Sequence, residues 1–217
     1  MQYDVLIVGG GPGGIYSAYE LLKKRPALKI ALFEAGHALS RRHCPIDGDK
    51  VKSCVKCPTC AIMNGFGGAG AFSDGKYNIT NQFGGTLHEH IGKKRALELM
   101  EYVDQINVEN GGQGTHLYST GATPIKKLCL ENDLHLLDAS VRHLGTDKNL
   151  VVLEHLYNIL KDGVEVKFYN MEVQLDKNLQ TCHPGLFVIG DGSCVTHSLS
   201  HASASGVYVA RKIAEAE

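Results

Sequence analysis

No run of apolar residues in this chain approaches the roughly eighteen that a membrane helix needs, so no membrane partner is expected. Excess charge of either sign is also missing: Lys and Arg total 22, Asp and Glu 23, and the net charge is −1. Nothing in that balance suggests a nucleic-acid or membrane-surface partner. Internal repeats and low-complexity segments are absent. Met1-Gln2-Tyr3-Asp4 runs directly into an apolar strand, so no secretory leader is expected and the cytoplasm is the expected compartment. What remains is an ordinary globular composition, 43% hydrophobic and 21% charged.

Glycine and cysteine are plentiful and unevenly placed. The chain has 25 glycines and 7 cysteines. Cys44, Cys54, Cys57 and Cys60 fall within one loop, spaced C-x9-C-x2-C-x2-C. Without a secretory leader, such a cluster reads as reduced thiols or metal ligands, not as a disulfide framework. Two-residue gaps let thiolates converge on one ion, and an iron–sulfur cluster and a structural zinc are both compatible. Arg41, Arg42, Lys50, Lys52 and Lys56 around the loop would lower thiolate pKa values.

The order of elements is that of an α/β protein. Apolar runs predict strands at 3–8, 29–34, 164–169 and 186–189, with shorter ones at 134–137 and 171–175. Periodicity near 3.6 predicts helices at 12–24, 93–108, 122–131, 147–161 and 200–215. Residues 36–85 read as one long functional loop and 108–121 as a glycine-rich loop. The expected sheet is parallel, in the order 164–168, 29–34, 3–8, 186–189, with helices on both faces.

Gly9, Gly11 and Gly14 form G-x-G-x-x-G between the first strand and the first helix. The first glycine permits the turn, the second admits a pyrophosphate, and the third lets the helix pack on the strand. Pro12 opens the helix, whose N–H groups would face the phosphates. Glu34 ends the next strand, 20 residues past Gly14, where a carboxylate accepts ribose hydroxyls. The motif alone does not choose between dinucleotides. A second glycine loop, NGFGGAGAFSDGK at 64–76, has five glycines in thirteen residues and reads as backbone that approaches a flat ring or a phosphate.

These stretches, together with RRHCP, RHLGTDK and GLFVIGDGSCVTHSLSHASASGVYVAR, resemble the bacterial family of FAD-dependent dehydrogenases, also described as FAD-utilising or NAD(P)/FAD-dependent oxidoreductases. The resemblance covers 1–173 and 179–215. It implies a Rossmann-like FAD-binding domain of glutathione-reductase type over 1–217, with the Cys/Gly-rich loop 36–85 as an insertion. It also implies FAD as cofactor, with NAD(P) as a possible electron donor and a small-molecule substrate or electron-transfer partner. Family members carry a substrate domain of antiparallel strands where this chain has only the join 174–184. By resemblance, Asp191 after Gly190 would meet the ribityl chain, and Val173 the adenine. The helix bearing Ser203 and Ala204 would run beneath the flavin. Candidate cofactor contacts are therefore Gly9, Gly11, Pro12, Gly14, Glu34, Ala35, Arg42, Gly67, Gly68, Ser73, Asp74, Val173, Gly190, Asp191, Ser203 and Ala204. Asp74 and Lys76 are candidates for a flavin-side role, ahead of His37, His43, His183, His197 and His201. Loss of the substrate domain would uncover an apolar face and favour self-association. Two other readings stay open: a non-catalytic FAD-binding module, and a short flavoprotein of thiazole-biosynthesis type.

Overall fold

The structure is a computed structural model that describes residues 2–57, 59–121, 123–169, 173–189 and 199–214. It divides into two compact units, 1–168 and 169–217.

The first unit is built on a parallel sheet of three strands, β1 (Val5–Val8), β2 (Ile30–Glu34) and β6 (Val164–Phe168), in the order β1-β2-β6. Val5 pairs with Ile30, and Ile30 with Val164. β2 reads as a continuous apolar run because it is the central strand: Ile30, Ala31 and Leu32 are all buried. Two helices supply the core on one face. These are α1 (Pro12–Lys24), through Ile15 and Ala18, and α5 (Gly145–Lys161), through Val152, Leu153, Leu156 and Leu160. The opposite face is uncovered at β1, where Leu6 is 58% and Val8 71% exposed. Helical cover on both faces, expected from the sequence, is thus not found there among the described residues.

A second sheet forms, two of its three strands within what reads as loop. Strands β3 (Lys76–Ile79), β4 (Leu117–Ser119) and β5 (Ser140–His143) are antiparallel in the order β3-β5-β4. No strand forms at 134–137, where one was expected; β5 begins only at Ser140. Around this sheet lie α2 (Leu87–Ile91), α3 (Lys93–Asn107) and α4 (Pro124–Glu131). A bidentate ion pair fixes α3 to β5: the Arg142 guanidinium donates through Nε to Asp104 Oδ1 and through Nη2 to Asp104 Oδ2 at 2.8 Å.

The second unit holds a tight turn and α6 (Leu199–Ala214). Asp176 Oδ1 accepts the N–H groups of Asn178 (2.8 Å) and Gln180 (2.9 Å), so the join 174–184 folds back on itself. This overturns the placement of 186–189 in the parallel sheet. Its backbone is engaged locally instead: Phe187 bridges Gln180, Thr181 N–H donates to Leu186 O at 2.9 Å, and Val188 N–H donates to Leu179 O at 3.2 Å. Residues 173–175 form no strand, and 170–172 lie outside the described residues.

Candidate functional site

The first glycine turn has the backbone its sequence requires. Gly9 sits at φ 101°, a left-handed value, and donates to Phe33 O at 2.7 Å. A Cβ on Gly14 would lie 1.9 Å from Gly9 O, so only glycine lets α1 approach the turn. α1 begins at Pro12 with Gly11 as N-cap, no side-chain cap and no acidic residue in its first turn. Its first N–H groups therefore lack intrahelical partners and present the positive end of the helix dipole. Atoms added at Gly11 or Gly13 would meet nothing within 4 Å.

The second glycine loop lies against this turn. Gly67 N–H donates to Gly10 O at 2.7 Å, and Gly68 faces Gly11 so closely that a Cβ there would lie 3.3 Å from Gly11 Cα. Two buried charged side chains hold the arrangement. Glu34, 7% exposed, accepts Gly10 N–H at 2.6 Å on Oε2, and Gly36 and Gly65 N–H at 2.8 and 3.1 Å on Oε1. Three of a carboxylate's roughly four acceptor positions are thereby used. Arg42, 2% exposed, donates to the carbonyls of Ala61 (2.8 Å), Ile62 (2.6 Å) and Phe66 (2.7 Å). Its guanidinium also stands 4.8 Å from the Phe72 ring centroid. Burial holds the Arg42 guanidinium below its ordinary pKa, while the neighbouring Glu34 carboxylate acts in the opposite sense.

Asn149 completes the clamp from α5, donating through Nδ2 to Gly70 O (2.9 Å) and Ala71 O (3.0 Å). Tyr77 hydroxyl donates to Asn149 Oδ1 at 3.3 Å, and burial raises its pKa above the ordinary phenol value. A turn further along α1, Tyr16 donates to Asn107 Oδ1 and is raised further, again chiefly by burial. A small cavity of about 170 Å³ opens between the turn and the loop, lined among others by Pro12, Gly70, Ser73, Lys76 and Asn149. Sequence reasoning missed Asn149, Gly10, Gly36 and Gly65. Asn149 carried a signal: it opens the buried stripe 149, 152, 153, 156 and 160 of α5, where every other member is apolar.

Of the candidate contacts, Gly9, Gly11, Pro12, Gly14, Glu34, Gly67 and Gly68 come together here. Arg42 joins them as a clamp on the loop. Ala35 is adjacent in sequence and exposed. Ser73 is exposed and donates to Gly70 O at 2.7 Å. Asp74 is ion-paired with Lys76 at 2.6 Å, with His143 Nε2 at 3.9 Å; Lys76 is the main cause of its lowered pKa. Val173, Ser203 and Ala204 belong to the second unit. Gly190, Asp191 and His197 lie outside the described residues.

The four loop cysteines are not drawn together. Cys44, Cys54, Cys57 and Cys60 are all exposed, and among the described residues no group of three or more His, Cys, Asp or Glu could hold a metal ion. The two-residue gaps permit convergence but do not enforce it. Here the chain turns at Lys56, at φ 52°, with Lys56 N–H on Cys54 Sγ at 3.4 Å.

No family model and no curated protein matches the chain. Among solved structures, glycine oxidase from Bacillus cereus aligns with 82% of this chain and 49% of its own, at 13% identity and TM-score 0.37. L-amino acid deaminase from Proteus vulgaris covers 82% and 43%, at 14% identity and TM-score 0.31. The enzyme of that name from Proteus myxofaciens, solved in complex with anthranilate, covers 82% and 41%, at 13% identity and TM-score 0.30. The chain thus spans half or less of the length of these proteins, and superpositions this loose assign it neither family nor activity. Among the described residues, no helix is long and apolar enough to cross a membrane.

Proposed function

We propose that the chain is a flavin oxidoreductase whose first unit binds the pyrophosphate of extended FAD, in a Rossmann-like domain of glutathione-reductase type. The observation that supports this most strongly is the uncapped N-terminus of α1. It opens onto free space at Gly11 and Gly13 while the second glycine loop already lies against the turn. Backbone N–H groups at such a helix end take phosphate without any side-chain charge. Gly11, Gly13 and Gly14 would hold the phosphates, and the loop at Gly67 and Gly68 would line the approach.

Glu34 keeps one acceptor position for a ribose hydroxyl, and its main role is to close the turn. The roles of Val173, Gly190, Asp191, Ser203 and Ala204 rest on the family resemblance. When bound, FAD would supply electron or hydride transfer. The chain's contribution is binding, orientation and a preformed backbone cradle.

A non-catalytic FAD-binding module is the second reading. It is favoured by the Asp74–Lys76 pair, the best-placed titratable groups, which are already satisfied by each other. The visible absorption spectrum of purified protein, before and after incubation with FAD and gel filtration, tests the binding claim. Retained flavin in a 1:1 ratio supports it, and a colourless protein after incubation contradicts it. Turnover of reduced flavin against small-molecule acceptors separates the enzyme from the module.

A further inference from the structure

A cleft of about 630 Å³ lies where the second sheet meets α2 and α3. That volume is in the range of small-molecule sites. It shares no lining residue with the glycine-turn cavity.

Its floor is satisfied except at the buried Asn81 Oδ1, which has no hydrogen-bond partner among the described residues. Thr80 Oγ1 donates to Asp138 O at 2.7 Å and accepts Gln82 N–H at 3.0 Å. Asn81 Nδ2 donates to Lys93 O at 3.0 Å, and the Asp138 carboxylate is paired with Lys126. The walls are not. Among the described residues, the side chains of Gln82, His88, Lys93 and Glu101 make no hydrogen bond or ion pair, although all four line the cleft.

Their placement on α3 is specific. Lys93, Leu97 and Glu101 stand at i, i+4 and i+8 on one helix face, which sets the backbone positions of the two charged residues about 12 Å apart along the axis. They form no ion pair with each other among the described residues. Lys94 and Glu98, only four residues apart on the same helix, do pair at 3.8 Å. Leu97 lies between the two unpaired charges, with Ile79 also in the lining. The surface therefore offers a cation with a neighbouring imidazole at one end, an apolar middle, and a carboxylate at the other.

We infer that this cleft binds a linear zwitterion, with a carboxylate at Lys93 and His88, an aliphatic spacer over Leu97, and a primary amine at Glu101. The site does not depend on the flavin reading.

The test is calorimetric titration of the full chain with aminocaproate, caproate and hexylamine. Aminocaproate should bind about tenfold more tightly than either half-ligand, the size expected for one additional charge-assisted contact at a partly solvated site. Lys93→Met should bring aminocaproate down to the affinity of hexylamine and leave hexylamine itself unchanged. Glu101→Gln should bring it down to that of caproate and leave caproate unchanged. Both positions are exposed, so circular dichroism should confirm an unaltered fold, and FAD uptake should be the same in both variants. Equal affinity for the three compounds, no saturable binding of aminocaproate, or binding indifferent to both substitutions overturns the inference.

Discussion

Glu34 and Arg42 hold adjacent residues of one loop: Glu34 Oε1 accepts the Gly65 N–H at 3.1 Å, and Arg42 Nη1 donates to the Phe66 carbonyl at 2.7 Å. Opposite charges thus grip the second glycine loop through its own backbone and press it against the first turn. Replacing Glu34 by Gln puts an amide where three donors converge, and replacing Arg42 by Met strips three carbonyls of their donor. Each change should cost about 3 kcal/mol, read as a fall in the urea midpoint, because buried partners of a charged group are left unsatisfied. The double variant should lose less than the sum, since both side chains hold the same loop. Full additivity would mean that the two act on separate parts of the fold.

The glycine turn separates folding from binding. Gly14→Ala collides with the Gly9 carbonyl and should destabilise the protein by more than about 2 kcal/mol, as overpacking against rigid backbone does. Gly11→Ala meets no protein atom and should leave the melting temperature almost unchanged. If phosphate lies where proposed, the same methyl should lower FAD affinity at least tenfold, or about 1.4 kcal/mol. Unaltered FAD affinity in Gly11→Ala would move the phosphates away from this turn.

Acid should open the hairpin of the second unit. The carboxyl of Asp176 is held below its ordinary value, first by the Gln180 N–H and then by that of Asn178. A depressed folded-state pKa contributes stability above the unfolded value and loses it as pH falls through the folded one. The turn should therefore be intact at neutral pH and loosen only below the ordinary aspartate range, near about 3.9. Amide shifts of Asn178 and Gln180, followed by NMR during acid titration, should move together there. Movement of both near neutral pH would assign the turn to another group.

The cysteine loop should behave as independent thiols. Cys44, Cys54, Cys57 and Cys60 are exposed, and mass-mapped alkylation of native protein should label all four rapidly. Zinc added beforehand should give little protection. Cooperative protection of the four by about one equivalent of zinc would show that the loop closes on metal after all.

The outer strand β1 has a liability of its own. Leu6 and Val8 are exposed on a strand that pairs only with β2 among the described residues. Apolar edge strands without charge are templates for association. Size-exclusion chromatography with light scattering should show species larger than a monomer at high concentration, and Leu6→Lys with Val8→Lys should reduce them. A monomer at every concentration would contradict this.

The elements legible in the sequence are those whose burial is local or continuous. KIALFE reads as a strand because Ile30, Ala31 and Leu32 are all buried in the centre of a sheet. The helix 147–161 is legible because Leu153, Leu156 and Leu160 recur on one face. The second sheet was not legible. Its strands KYNI, LYS and SVRH are three or four residues long and largely solvated, too short for a period of two to declare itself.

The strand at 186–189 misled for the opposite reason. Its apolar run suits a buried strand, but its pairing is decided by the turn at Asp176, which supplies a nearer partner. In the candidate site, the glycine spacing was readable. The inward orientation of Glu34 and Arg42 was not, because the donors and acceptors they meet, at Gly10, Gly65 and Phe66, lie 20 or more residues away in the chain.

Titrating FAD with the protein and following flavin fluorescence addresses the central claim directly. Binding at the α1 N-terminus predicts saturable quenching at one FAD per chain, with a dissociation constant in the micromolar range or tighter and a loss of at least tenfold in Gly11→Ala. Fluorescence that stays constant up to about 100 μM protein would contradict the assignment of this glycine turn as a dinucleotide site.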